Sequence, residues 1–467
     1  MNSYKKLVSN SMIFAVGTFG SKLVSLLLVP LYTYYLSTGE YGTVDLMVAT
    51  INMLLPIVSL SVFEAVLRFT LDDEVDQQKV LSNSVLIVFG GFVILLLFYP
   101  VLSYFGMLGN MLNFLYIILL LQMIERILSQ HLRGSGKVKE FALNGIILAT
   151  GTGLFNILFL VGLGFGIEGY FYAMIVAHII SLIYLFYTTN ALSYISFKDV
   201  DKETLKNIIG YSAPLVPNSI MWWLINASSR YFITFFVSLS ANGLYAVASK
   251  IPSLLNVLYQ VFNQAWQLSA IEEYDNDNRP DFYSKVFNYL SAFMFIGGSV
   301  IIILVKPMFT ILFAPEYFNG WAVTPFLVLG TIFSSFSSFL GTNYIAAKQT
   351  RGIFNTSIYG GVISVVFNLI LIPTLGVIGA SISSVVSFVA MFVLRYWDTR
   401  EYVELHLNIP RMLTNIAIIA LQILVMFINL PIAIELTING LLLIGLIIFN
   451  GKMILSILGF IVRLIKK

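Results

Sequence analysis

The chain has no cysteine. This excludes disulfides, thiolate metal sites and haem attachment, and it leaves the compartment open. Charge is scarce: 10% of the 467 residues are charged, where an ordinary soluble domain carries about 25%. No G-x-x-x-x-G-K-[ST] run occurs, so no ATP site of the P-loop kind is expected. No His/Glu/Asp cluster has metal-ligand spacing, no nucleophile–base pair stands out in a loop, and no nucleic-acid partner is expected. Long loops are missing as well. A membrane polymerase or ligase would need a sizeable outer loop with catalytic basic residues, and the turns here are too short for a soluble catalytic domain. The chain is not expected to be an enzyme.

What is present is hydrocarbon. Hydrophobic residues make up 58% of the chain and come in blocks long enough for a bilayer, which takes about 20 residues as helix. The short alternating segments of a β-barrel are not apparent. The reading is all-α, a polytopic membrane protein. Polar breaks place fourteen spans near 11–36, 42–67, 80–104, 112–132, 141–162, 168–190, 208–238, 243–270, 285–305, 321–346, 353–373, 376–396, 411–430 and 436–451. The opening MNSYKKLVSNSMIF looks like a signal peptide, but its apolar run is too long and has no small-x-small cleavage site; it reads as a retained first helix.

The basic residues test this count. With a cytoplasmic N-terminus, 21 of the 26 fall in inside segments and only Lys306 falls outside. The other four, Lys22, Arg126, Arg230 and Lys250, lie within helices. A miscounted helix would invert everything after it, so the positive-inside rule supports fourteen spans in the cytoplasmic membrane with both termini inside. Twelve spans plus a less certain pair would keep the same asymmetry. The tail at 452–467 puts Ile454, Ile457, Ile461 and Leu464 on one face beside basic residues, the pattern of an amphipathic helix on the inner leaflet.

The sequence also repeats. YYLSTGEYGTVDL at 34–46 resembles FFVSLSANGLYAV at 235–247, with Ser37 opposite Ser238 and Gly42 opposite Gly243 at an offset of 201. FNILFLVGLGFGIEG at 155–169 resembles FNLILIPTLGVIG at 367–379, with a two-residue gap. The expected organisation is a six-helix bundle over 1–190, a cytoplasmic linker at 191–207, a second bundle over 208–396 and an extra helix pair at 411–451. Six being even, the two bundles share one orientation and are expected to be related by pseudo-two-fold symmetry, with the substrate path between them.

Buried charge is concentrated on equivalent helices of the two halves. Between Ser11 and Leu36, eleven residues precede Lys22 and fourteen follow it. Its ammonium therefore lies roughly 16 Å from one end of the run and 21 Å from the other, beyond the reach of snorkelling. Asp45, Arg230 and Lys250 are the other well-buried charges, on helices 2, 7 and 8, and by topology they lie in the outer half while Lys22 sits near mid-depth. Asn218, Trp222, Asn226 and Arg230 recur every four residues and share a side; Lys250, Ser253, Asn256, Gln260, Asn263, Gln264 and Gln267 form a second stripe, Ser11, Thr18, Lys22 and Ser25 a third, and Asp45, Asn52 and Ser59 a fourth. These stripes predict a wet central cavity lined by Lys22, Arg230, Lys250, Trp222, Asn226, Gln260 and Gln264. Three bases against one acid suit an anionic substrate. The alternative for Asp45 is a structural ion pair with Lys22 or Lys250. Glu64 and Arg68 either pair with each other or sit at the cytoplasmic mouth; Glu125 and Arg126, being adjacent, face different sides. His178 reads either as a proton relay or as a packed neutral ring. Trp222, Trp223 and Trp266 either stack on sugars or pack in core or lipid, and only Trp222 lies on a polar stripe.

The fourteen helices, the six-helix repeat, the opening FGSKLVSLLLVPLYTYYLSTGEYGTVDL and the stretch FNLILIPTLGVIGASISS together resemble the polysaccharide transporter branch of the multidrug/oligosaccharidyl-lipid/polysaccharide flippase superfamily, which includes the Wzx-type O-antigen and capsule flippases. The resemblance covers essentially the whole chain through diffuse patterns. It implies a V-shaped, alternating-access transporter that moves an undecaprenyl-pyrophosphate-linked oligosaccharide from the inner to the outer leaflet. Lys22, Arg230 and Lys250 would then meet the pyrophosphate, and Asp45 and Glu64 become candidates for coupling to Na+ or H+, with no other cofactor. Membrane lipids, a polysaccharide polymerase and chain-length machinery are the implied partners. An ion-coupled drug or metabolite exporter of the same superfamily is the alternative.

Overall fold

The computed structural model describes residues 20, 22–72, 75–104, 109–274, 276, 278–347, 349–428, 430–451 and 453. The expectations for Ser11, Thr18 and the tail from 454 onward lie outside the described residues. Among those described there is no strand, and the chain is all-α. Helix α1 spans 22–35, α2 Thr38–Val58, α3 Val62–Thr70, α4 Gln77–Leu97, α5 Leu112–Gly134, α6 Val138–Asn156 and α7 Gly166–Thr189. After these come α8 Lys202–Ser212, α9 Val216–Phe236, α10 Leu239–Glu272, α11 Arg279–Leu312, α12 Thr324–Ala346, α13 Thr350–Asp398, α14 Ile409–Phe427 and α15 Ile432–Phe449.

Eleven helices among the described residues are long and apolar enough to cross a membrane. The other expected spans have identifiable reasons for standing outside that count. The first falls partly on residues that are not described, and the helix described there, 22–35, is too short to qualify. α10 carries the Lys250-to-Gln267 polar stripe and is too hydrophilic to qualify. α13 contains the two spans expected at 353–373 and 376–396, joined through Gly376 at φ +58. The second span, expected to be continuous over 42–67, is broken instead. Leu60 and Ser61 adopt the left-handed conformation, the Ser61 N–H bonds back to Pro56 O at 2.9 Å, and α3 starts afresh from there.

The internal repeat is legible in the caps. Ser37 caps α2 by accepting from the Glu40 N–H, and Ser238 caps α10 by accepting from the Ala241 N–H. Each satisfies a donor that a helix start leaves open. Further along, Leu112–Gly134 and Thr324–Ala346 have bounds 212 residues apart, as do the starts of α6 and α13 at Val138 and Thr350. The aligned glycines Gly169 and Gly379 do the same work at equivalent positions. A Cβ on Gly169 would lie 3.1 Å from Phe159 O, and one on Gly379 would lie 2.2 Å from Leu371 O. Gly379→Ala is therefore expected to destabilise by about 1–3 kcal/mol through overpacking of backbone. Thermal unfolding of the purified protein checks this, with Gly440→Ala as the control, since a Cβ at Gly440 meets open space.

The chain forms two compact units, Met1–Trp223 and Leu224–Lys467. Segment 191–207 packs within the first. Ser82 Oγ donates to Tyr194 O at 3.3 Å and accepts from the Ser196 N–H at 3.0 Å, while Asn83 Nδ2 donates to Asp199 O at 3.3 Å. Asp201 then caps α8 by accepting from the Glu203 and Thr204 N–H groups. In the second unit the C-terminal pair α14–α15 is bonded to α11: Lys306 Nζ reaches Glu435 Oε2 at 2.6 Å and Met426 O at 2.8 Å, and lies 4.2 Å from the Trp321 ring centre. Amides hold α14 to α15. Gln422 Nε2 donates to Asn439 O, and Asn450 Nδ2 to Asn415 Oδ1. Such interhelical amide bonds hold where hydrophobic association gives no drive.

Candidate translocation site

In the first unit, Lys22 lies in the first turn of α1 as described and is half-buried; Asp45 is buried on α2, and its charge acts on Tyr170 of α7. Tyr170 in turn meets Tyr32 edge-on at 5.0 Å. Trp222 is half-buried at the end of this unit. Its neighbour Trp223 is pinned by donating Nε1–H to Ala49 O at 2.8 Å, which fixes the start of α9 against α2. Glu64 is exposed on α3, and Arg68 pairs with Asp72 at 4.0 Å; of the two alternatives read from the sequence, the Glu64–Arg68 pair does not form.

In the second unit, Arg230 is half-buried on α9. Its guanidinium donates to Asn226 O at 2.8 Å and lies 5.9 Å from the ring centre of Tyr245 on α10. Asn226 is exposed; Lys250 and Gln260 are half-buried on α10, and Gln264 is exposed. The α9 and α10 stripes thus keep polar side chains partly accessible along helices of membrane length. The geometry brings Arg230 to α10 through Tyr245. Trp266 is a core residue, 3% exposed and stacked on Phe339 at 4.4 Å.

Three polar groupings escaped the sequence reading. Arg395, counted among basic residues at a helix end, is 1% exposed. It donates to Thr356 Oγ1 at 3.0 Å, Ser337 O at 2.8 Å and Ser357 Oγ at 3.1 Å. Glu125 turns into the core of the first unit, where Asn144 Nδ2 donates to its Oε1 at 2.7 Å and Ser181 Oγ donates to Asn144 Oδ1 at 2.7 Å. Lys306, placed in an outer turn by the sequence reading, forms with Glu435 the ion pair described above. His178 is buried with Nδ1 on Met174 O at 2.8 Å, the bonding of a packed ring. Among the described residues, no group of three or more His, Cys, Asp or Glu side chains could hold a metal ion. A groove of about 490 Å³ between α2, α4 and α8 is walled by aliphatic side chains such as Leu54, Leu86, Ile94 and Leu205 and suits hydrocarbon rather than a polar ligand.

The fold has solved counterparts. The lipid II flippase MurJ in an inward closed conformation superposes with a TM-score of 0.71 at 14% identity, covering 95% of this chain and 100% of that one. An inward-facing multidrug resistance MATE transporter of the MOP superfamily gives 0.64 at 14% identity, over 82% of this chain and 95% of the other. At such identity the likeness is one of fold. An uncharacterised membrane protein of Methanocaldococcus jannaschii is 22% identical over 224 residues, 44% of this chain. The match spans 41% of that curated relative's length. The model of the family described as "Polysaccharide biosynthesis protein" matches residues 7–267, more than half of the sequence. The chain belongs to the polysaccharide biosynthesis protein family.

Proposed function

We propose that this protein is a flippase that carries an undecaprenyl-pyrophosphate-linked oligosaccharide repeat unit across the cytoplasmic membrane by alternating access, for surface polysaccharide synthesis. The observation that carries the reading is the set Lys22, Arg230 and Lys250: three half-buried cations on α1, α9 and α10, with family membership behind them. A charge at mid-membrane costs about 2.5–3.5 kcal/mol on the insertion scale, so cations kept within these helices call for an anionic partner. A diphosphate supplies one. Basic groups in a low-dielectric site attract it strongly, while its polyprenyl tail stays in hydrocarbon. Trp222, Asn226, Gln260 and Gln264 offer ring-stacking and amide contacts for sugars. Asp45 and Glu64 are the carboxylates proposed to serve Na+ or H+ coupling. The basic-residue asymmetry supports N- and C-termini on the cytoplasmic side.

A leaflet-specific assay of the lipid-linked unit tests this. Cells lacking the protein are expected to accumulate the unit on the cytoplasmic leaflet, and Lys22→Ala and Arg230→Ala each to reproduce that block at normal protein levels. Normal surface polysaccharide with both substitutions in place would remove the assigned roles. The likeness to MATE folds favours a second reading, an ion-coupled exporter. Coupled efflux of small cations by purified protein, without any change in surface glycan, would establish it in place of the first.

A further inference from the structure

Glu125 is 8% exposed, its hydrogen-bond donor Asn144 is 2% exposed, and Ser181, which donates to Asn144, is 0% exposed. Each of the three residues comes from a different helix, α5, α6 and α7. An ionised carboxylate in such a place is costly unless a cation or several donors answer it. Among the described residues Glu125 enters no ion pair, and Asn144 is its hydrogen-bond donor. The acidic, basic and histidine side chains on its own and the adjoining helices are Arg126, His131 and Arg133 on α5, Glu40 and Asp45 on α2, Glu64 and Arg68 on α3, Lys79 on α4, Lys139 and Glu140 on α6, and Glu168 and His178 on α7. Of these, Arg126, itself exposed, acts on Glu125 and on His178 through its charge.

The chain Glu125–Asn144–Ser181 has a property that follows from its donor inventory. With Glu125 ionised, the Asn144 amide donates to the carboxylate and its carbonyl accepts from the Ser181 hydroxyl. If Glu125 binds a proton and the amide turns over, the new carboxyl O–H donates to Asn144 Oδ1 and Asn144 Nδ2 donates to Ser181 Oγ. In both arrangements the Glu125–Asn144 and Asn144–Ser181 links remain hydrogen bonds, because an amide and a hydroxyl can each donate or accept. A permanent charge could not use this freedom, and the equivalent place in the second unit shows the contrast. Ser337 and Thr356 stand 212 residues after Glu125 and Asn144, and there they are bonded to Arg395, whose guanidinium stays charged.

We propose that Glu125, Asn144 and Ser181 form a reversible proton-binding site within the first unit, the hydrogen bonds of the chain reversing direction as the carboxylate takes up a proton from water. No covalent bond other than the O–H changes. Sodium fits poorly: the Asn144 N–H group points at the carboxylate, and the Asn144 carbonyl is already engaged by Ser181. Binding at this site stands on the geometry alone. Its use as the coupling step rests on the flippase reading above.

The experiment uses the full chain in liposomes. Infrared difference spectra between acid and alkaline pH are expected to show the carbonyl band of a protonated carboxyl, lost in Glu125→Gln and shifted in Asn144→Leu. Glutamine keeps the shape and the hydrogen bonds, so a folded variant is expected. A band unchanged in Glu125→Gln, no band in the wild type, or a band driven by Na+ at fixed pH would each overturn the site. In the transport arm, flipping of the lipid-linked unit is expected to lose its pH dependence in Glu125→Gln. Flipping that responds to pH identically in wild type and variant would overturn the coupling role. No flipping by the wild type, with the infrared band intact, would count against the flippase reading and leave the proton site standing.

Discussion

Arg395→Lys is expected to destabilise the second unit more than Arg395→Met, the reverse of what conservation of charge would suggest. The guanidinium is 1% exposed and distributes its N–H groups over Thr356, Ser337 and Ser357. Each such bond contributes about 1 kcal/mol net, and somewhat more when the donor is charged. Lysine offers a compact ammonium on a different stem and cannot serve three acceptors set out for a planar fork, so it leaves a charge buried with fewer partners. Methionine fills part of the volume and buries no charge. Arg395→Ala should be the worst for packing, since it adds a cavity to the three lost bonds; a loss of about 3–5 kcal/mol is expected. Unfolding followed by the fluorescence of Trp266, stacked on Phe339 of the same unit, checks the order. A lysine variant as stable as the wild type would show that charge alone, and not the fork, holds the junction of α12 and α13.

The second large effect concerns the C-terminal pair. Glu435→Ala leaves Lys306 buried against Trp321 with only Met426 O to receive its charge, and removal of one partner of a buried pair costs about 3–5 kcal/mol. The double variant Lys306→Met/Glu435→Leu removes both charges and is expected to recover most of that loss, because well-packed apolar residues often replace a buried pair without penalty. A double-mutant cycle on unfolding free energy measures the coupling. Protease sensitivity of α14 and α15 gives an independent readout: rapid cleavage of Glu435→Ala and resistance of the double variant are the expected pair of results. Equal sensitivity in all forms would mean that the amides of Asn415, Gln422, Asn439 and Asn450 suffice to hold the pair.

Much of this architecture is written in the order of polar and apolar residues. The expected span 112–132 became Leu112–Gly134, and the expected span 321–346 became Thr324–Ala346, because polar breaks end these runs on both sides. The Ser37–Ser238 match carried a physical meaning, since both residues cap helices. The break at Leu60–Ser61 was hidden: neither residue favours the left-handed region, and what holds them there is the bonding around Pro56 and Ser59. Arg395 was hidden for another reason. Its neighbours Trp397 and Arg400 look interfacial, while the space that receives it comes from Gly341, Ser337 and Ser357, small residues 38 to 58 positions away. Glu125 was read through its neighbour Arg126, although its decisive partner is Asn144, 19 residues on. Stripes on one helix are readable locally. Which helix a stripe meets is not.

The two serine caps bear on how the chain enters its membrane. Between α1 and α2 the backbone turns within Leu36 and Ser37, and the Ser37 hydroxyl and Glu40 carboxylate satisfy the exposed amides on the spot. Ser238 does the same between α9 and α10. A turn that supplies its own hydrogen bonds can follow its helices into lipid with little loss of hydration. Each of these helix pairs can therefore leave the insertion machinery as one folded hairpin rather than as two helices sorted after release.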